Sequence, residues 1–80
     1  MAVKNDQFIS KLAEIVRYHR KLAHLTQLEL AQHAGVGKTV IYDIEHSKST
    51  IQLDTLLKVL SVLNISIEIQ SPLKTEMRNA

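Results

Sequence analysis

Thr26-Gln27-Leu28-Glu29-Leu30-Ala31-Gln32-His33-Ala34-Gly35-Val36-Gly37-Lys38-Thr39-Val40-Ile41-Tyr42-Asp43-Ile44 is the stretch from which the fold is read. Thr26 stands three residues ahead of Glu29, the spacing of a capping box, so a short helix opens here. Gly35 suits the left-handed position just past a helix end and stops that helix. Val36 follows, and Gly37 or Lys38 begins another short helix whose Ile41 and Ile44 lie on one face. Only about three residues separate the two, the length of a tight turn.

Two short helices joined by a tight, glycine-containing turn make a helix-turn-helix unit. Upstream, Phe8, Ile9, Leu12, Ile15 and Val16 recur at helical spacing with Asn5 or Asp6 placed as N-cap, which predicts a first helix from about Asp6 to about Ala23. Downstream, the polar loop His46-Ser47-Lys48-Ser49-Thr50 leads into a helix from about Leu53 to Leu63. Its stripe of Leu53, Leu56, Leu57, Leu60 and Leu63 reads as core, with a protein-docking face as the other reading. Asn64 ends it, and Ile65-Ser66-Ile67-Glu68-Ile69-Gln70 alternates apolar and polar residues as a strand does. A lone strand is not stable, and nothing else in the sequence reads as one. Ile65, Ile67 and Ile69 are therefore expected to pair with the same strand of a second copy in a homodimer. Residues 1–70 form one domain on this reading, and the polar, aperiodic residues 71–80 a flexible tail.

The bulk numbers agree with one small globular domain. A chain of 80 residues has room for a single modest core, and 45% hydrophobic with 22% charged residues is too apolar for disorder. Without cysteine there is neither a disulfide framework nor a thiolate metal site. No run approaches the ~20 apolar residues of a membrane span, and the N-terminus lacks the apolar stretch of a signal peptide, so a cytoplasmic location with no membrane partner is expected. A formal net charge of +2 permits nucleic-acid binding without arguing for it. Phe8, Tyr18 and Tyr42 are too few to build a stacking platform for single strands, which favours duplex.

Arg20-Lys21-Leu22-Ala23-His24-Leu25-Thr26-Gln27-Leu28-Glu29-Leu30-Ala31-Gln32-His33-Ala34-Gly35-Val36, continuing to Ile41 and Glu45, resembles the Xre/Cro family of phage-repressor-type helix-turn-helix domains. The resemblance runs from roughly Ile9 to Leu63, carried by the Thr-Gln, Leu-Ala, Ala-Gly-Val and Ile-x-x-x-Glu pieces. Leu53-Asp54-Thr55-Leu56-Leu57-Lys58-Val59-Leu60 with the following strand is similar to HipB-type antitoxins, whose dimers are joined by a C-terminal strand of this kind. What the resemblance implies is a mainly α, four-to-five-helix phage-repressor-like domain with one C-terminal β-strand pairing across a dimer. It further implies a sequence-specific repressor of double-stranded operator DNA, acting as an antitoxin that represses its own operon and binds a HipA-like kinase toxin. A stand-alone or phage-type repressor without a toxin shares every residue of the motif, and a docking module without DNA binding is the remaining alternative.

In such folds the second motif helix presents its N-terminal residues to base edges in the major groove. That assigns Lys38, Thr39 and Tyr42 to bases, with Asp43 at the rim. Lys38 would donate to guanine O6 and N7, and the Thr39 methyl would meet a thymine methyl. The competing arrangement has Lys38 on phosphate alone and Tyr42 packed on Thr39. Gln27 matches a family position that holds phosphate at a helix N-terminus. Lys48 and Arg17 are further backbone candidates, Arg17 equally a solvated surface charge. Gly37 departs from the longer polar residue usual in the family and would contact DNA through its backbone. Arg20 and Glu45, by the same resemblance, form a partly buried structural ion pair.

His19, His24, His33 and His46 lack metal-ligand spacing, no His-Glu-x-x-His string occurs, and two glycines cannot make a phosphate loop. His46 and Ser47 do not make a nucleophile and base without a third orienting group. The sequence thus points to no metal, cofactor, small-molecule substrate or enzymatic activity.

Overall fold

The computed structural model describes residues 3–71. It contains α1 (Val3–Leu22), α2 (Gln27–Ala34), α3 (Lys38–Glu45) and α4 (Leu53–Val62). The expected flexible tail, apart from Ser71, lies outside the described residues. Helix α1 begins earlier than the sequence suggested. Asp6 is not its cap but sits inside its first turn, where a carboxylate still meets the positive end of the helix dipole.

Helix α2 packs against α3 and α4, and α1 packs against α3. Val16 of α1, Leu30 and Ala31 of α2, Ile41 and Ile44 of α3, and Leu56, Val59, Leu60 and Leu63 around α4 form the buried cluster. The shortness of α2 and α3 makes this packing obligatory, because isolated helices under ~12 residues are marginal in water. Phe8, expected on the inner face of α1, is exposed. The leucine stripe of α4 divides as well: Leu56, Leu60 and Leu63 are core, whereas Leu53 is 66% and Leu57 46% exposed. Val59, outside that stripe, is fully buried instead.

All four helices end in the same way. His24, Gly35, Ser47 and Asn64 have φ of 60°, 70°, 62° and 60°. Each donates its N–H to the carbonyl three residues back: His24 to Lys21, Gly35 to Gln32, Ser47 to Ile44 and Asn64 to Ser61. The next residue in each case reaches five back: Leu25 to Arg20, Val36 to Ala31, Lys48 to Asp43 and Ile65 to Leu60. These are Schellman motifs, which satisfy carbonyls left over at a helix end and turn the chain sharply. Leu25, Val36 and Ile65 then pack on the core, so three of the four turns are also sealed by apolar contact.

Beyond Asn64, the strand expected over residues 65–70 is not formed; no strand occurs among the described residues. Ladder hydrogen bonds require a second edge, and a single copy offers none. Ile65 is half-buried against the core, but Ile67 is 39% and Ile69 83% exposed.

A Cβ built at Gly35 meets nothing within 4 Å, so its requirement for glycine is the positive φ alone. Ser47 holds an equivalent φ with a side chain. Replacing Ser47 with glycine is expected to raise stability by about 0.5–1 kcal/mol, read as a higher urea midpoint with an unchanged slope. Gly35→Ser should lower it by a similar amount.

Candidate nucleic-acid interface

The end of α1, the start of α2 and the end of α3 are tied together by a buried charge cluster. Arg20 Nε donates to Glu45 Oε2 at 2.6 Å and Arg20 Nη2 to Glu45 Oε1 at 3.1 Å. The third guanidinium nitrogen, Nη1, donates to the Leu25 carbonyl at 2.8 Å, and Gln27 Nε2 donates to Glu45 Oε1 at 3.2 Å. With 11% of the Arg20 side chain and 2% of the Glu45 side chain exposed, this bidentate pair joins α1 to α3. Burial of two charges is tolerable only when their remaining hydrogen-bonding capacity is met, as the Leu25 carbonyl and the Gln27 amide do here.

Helix α2 starts at this cluster, with Gln27 its first residue. Thr26 Oγ1 accepts from the Glu29 N–H at 3.0 Å and the Glu29 carboxylate accepts from the Thr26 N–H at 2.8 Å, completing the capping box. Leu30 and Ala31 are thereby aimed inward, and the N–H groups of Gln27 and Leu28 have no acceptor within the helix.

Helix α3 has two faces. Ile41, Ile44 and Glu45 are buried, Val40 half-buried, while Gly37, Lys38, Thr39 and Tyr42 are exposed. Gly37 is its N-cap and supplies no side-chain hydrogen bond, and no acidic residue lies in the first turn. The positive end of the helix is thus left open beside Lys38 and Thr39. Gly37 itself has no crowding neighbour and an ordinary φ of −75°, so nothing within the chain demands glycine there.

Several residues expected at the site lie differently from the sequence reading. The Gln27 amide is turned to Glu45, so only its carbonyl oxygen and its backbone N–H remain to meet a ligand. Asp43 and Lys48, expected on base and phosphate, face each other at 3.4 Å across the turn after α3. Tyr42 stacks on His46, ring centroids 3.8 Å apart at 18°. Arg17 is exposed on α1, in a hollow lined by residues of its own helix including Glu14, Tyr18 and Lys21. His46 itself escaped the sequence reading as a site residue; it figured there in the polar loop and as a metal or general-base candidate set aside. The available signal was its spacing: four residues after Tyr42, one helical turn on.

No group of three or more His, Cys, Asp or Glu side chains among the described residues is placed to hold a metal ion. No helix among them is long and apolar enough to cross a membrane.

Comparison with known proteins agrees with this geometry. The helix-turn-helix family model matches residues 16–70. An uncharacterized HTH-type transcriptional regulator, y4mF, of Sinorhizobium fredii (strain NBRC 101917 / NGR234) is 44% identical over 61 residues, 76% of this chain and 80% of that protein. The control protein C.SmaI of Serratia marcescens is 36% identical over 56 residues, 70% and 67% of the two chains. The ImmF control region 10 kDa protein of Bacillus phage phi105 is 29% identical over 59 residues, 74% and 66%.

Removing one member of the Arg20–Glu45 pair strands the other charge in a dry site. Arg20→Ala or Glu45→Ala should each cost about 3–5 kcal/mol, whereas the double replacement Arg20→Met with Glu45→Leu should cost less than either. Urea unfolding of the three variants checks this. Double-variant stability below that of both single variants would refute it.

Proposed function

The chain belongs to the helix-turn-helix family, and on that footing we propose that it is a sequence-specific repressor of double-stranded operator DNA that controls its own operon as a HipB-like antitoxin. The carrying observation is the exposed Lys38–Thr39–Tyr42 face of α3, set at a fixed angle by the Arg20–Glu45 pair and bordered by an uncapped helix N-terminus. Lys38 is the donor to guanine, Thr39 the apolar contact to a thymine methyl, and Tyr42 the ring at the groove. Gly37 and the Gln27 N–H meet phosphate, which suits the open N-termini of α3 and α2. Lys48 reaches phosphate only by leaving Asp43, an exposed pair worth little to the fold, and Asp43 then borders the bases. Arg17 joins the contact only where flanking DNA reaches α1.

The dimer belongs to the same reading. Ile69 is 83% exposed, and Ile67, beside Phe8, Leu12 and Ile15 of α1, still 39%, and this apolar edge supports an intersubunit strand pair made by Ile65, Ile67 and Ile69. Two recognition helices would then read half-sites about 34 Å apart. A HipA-like kinase toxin is the proposed protein partner; the exposed Leu53 and Leu57 leave apolar surface for such docking.

A second reading is favoured by the relatives: a stand-alone or phage-type repressor with no toxin. One relative is named a control protein and another a phage control region protein.

Two measurements test these proposals. A gel-shift titration against the chain's own upstream region should show binding that weakens steeply with salt and that Lys38→Ala lowers by about 5- to 150-fold. Adding the neighbouring gene's product should alter the shift for an antitoxin and leave it unchanged for a stand-alone repressor; no shift at all would leave only the docking module. In sedimentation, Ile67→Asp should convert the dimer to monomer, and a variant that stays dimeric would remove the strand pairing.

A further inference from the structure

The stacked pair Tyr42–His46 is, among the described residues, the one aromatic contact on the exposed side of α3, and the operator reading gives it no explanation. His46 is the C-terminal cap residue of α3, and its Nδ1 lies 2.7 Å from the carbonyl oxygen of Tyr42. A carbonyl only accepts, so Nδ1 carries the proton and the ring is fixed in plane and in tautomer. The imidazole then lies nearly parallel to the phenol ring, at 18° and 3.8 Å between centroids. His46 is exposed, and Tyr42 remains 52% exposed, so the contact does little to bury surface in the free chain.

What the stack does is restrict Tyr42. An exposed tyrosine samples its χ1 wells, and each contact it makes with DNA must bear the loss of that freedom. With one face against a ring that is itself tied to the backbone, Tyr42 is held before DNA arrives. Its hydroxyl and its other face are left open, one turn beyond Lys38 and on the same side of the helix.

Resting on the reading that α3 faces DNA, we propose that His46 is a positioning residue for operator specificity, acting through Tyr42 by holding the phenol ring ready against the duplex. It is not itself a reader of bases. Its effect is on the ratio of specific to non-specific affinity, because a misplaced phenol loses a base contact and leaves phosphate contacts untouched.

The test is a double-mutant cycle on the full chain, with His46→Ala, Tyr42→Ala and both together titrated against the upstream duplex and a scrambled duplex of equal length. His46→Ala should lower the specificity ratio about two- to tenfold in the parent, and have no effect when Tyr42 is already alanine. His46→Phe, which keeps a stacking ring and loses the bond to the Tyr42 carbonyl, should retain most of the ratio. Unfolding midpoints of all variants show that each is folded. Equal losses of the ratio in both backgrounds would mean that His46 contacts bases on its own and overturn the proposal, as would an unchanged ratio, including one in which affinity for both duplexes falls together as for a phosphate contact. A parent chain with no preference for its upstream duplex overturns the repressor reading itself, a result distinct from either of those.

Discussion

The angle between α1 and α3 depends on one buried bidentate ion pair, Arg20 with Glu45. Desolvating both groups is costly, and their attraction does little more than offset that cost. What the pair contributes is geometry. The guanidinium is planar, and here its third nitrogen is bound to the Leu25 carbonyl, a residue that also seals the end of α1. Glu45 in turn accepts from Gln27 at the start of α2. One carboxylate therefore registers three helices against each other, in a chain whose core has no room for redundancy. An apolar replacement of similar volume could hold the helices together, but it would not specify the direction in which the outer face of α3 points.

The helix ends show how much of this was legible beforehand and why the rest was not. Thr26 with Glu29 and the glycine at 35 are residue types with few other uses, so the capping box and the turn could be read directly from the letters. Asn64 is nearly as telling. His24 and Ser47 occupy the same left-handed conformation at the ends of α1 and α3, and nothing in either letter announces it. In both places the requirement comes from the tertiary path: Leu25 must turn back to the core, and the chain after α3 must leave the packed face within two residues. Local propensity yields there to packing.

Periodicity has a related blind spot. It found the apolar stripe of α4 but not that Leu53 and Leu57 lie outside the core, since a repeat reports that residues share a face and not what covers it. The same holds for the 65–70 segment, where alternation was plain and the ladder is missing in a single chain. Among site residues, the α3 positions were assigned from the way the second helix of the resembled fold meets DNA, and Lys38, Thr39 and Tyr42 are exposed. Pairings between side chains were the part that spacing could not supply. Gln27 with Glu45 and Asp43 with Lys48 depend on rotamers chosen in the folded chain, and the one-turn spacing of Tyr42 and His46 lets the two rings meet without saying that they stack.

Helix α3 concentrates the argument, because eight residues serve two opposite demands. At 1.5 Å per residue it is about 12 Å long, close to the ~12 Å width of the major groove. Val40, Ile41, Ile44 and Glu45 face inward and carry packing and the ion pair. Lys38, Thr39 and Tyr42 face outward and carry none of it. Changing an outward residue alters what the helix can contact at little expense to the fold, whereas changing an inward one moves every outward residue together. The inward residues must therefore be fixed in kind while the outward ones are free to differ. A chain built this way can keep its inward residues and vary the outer face of α3 independently.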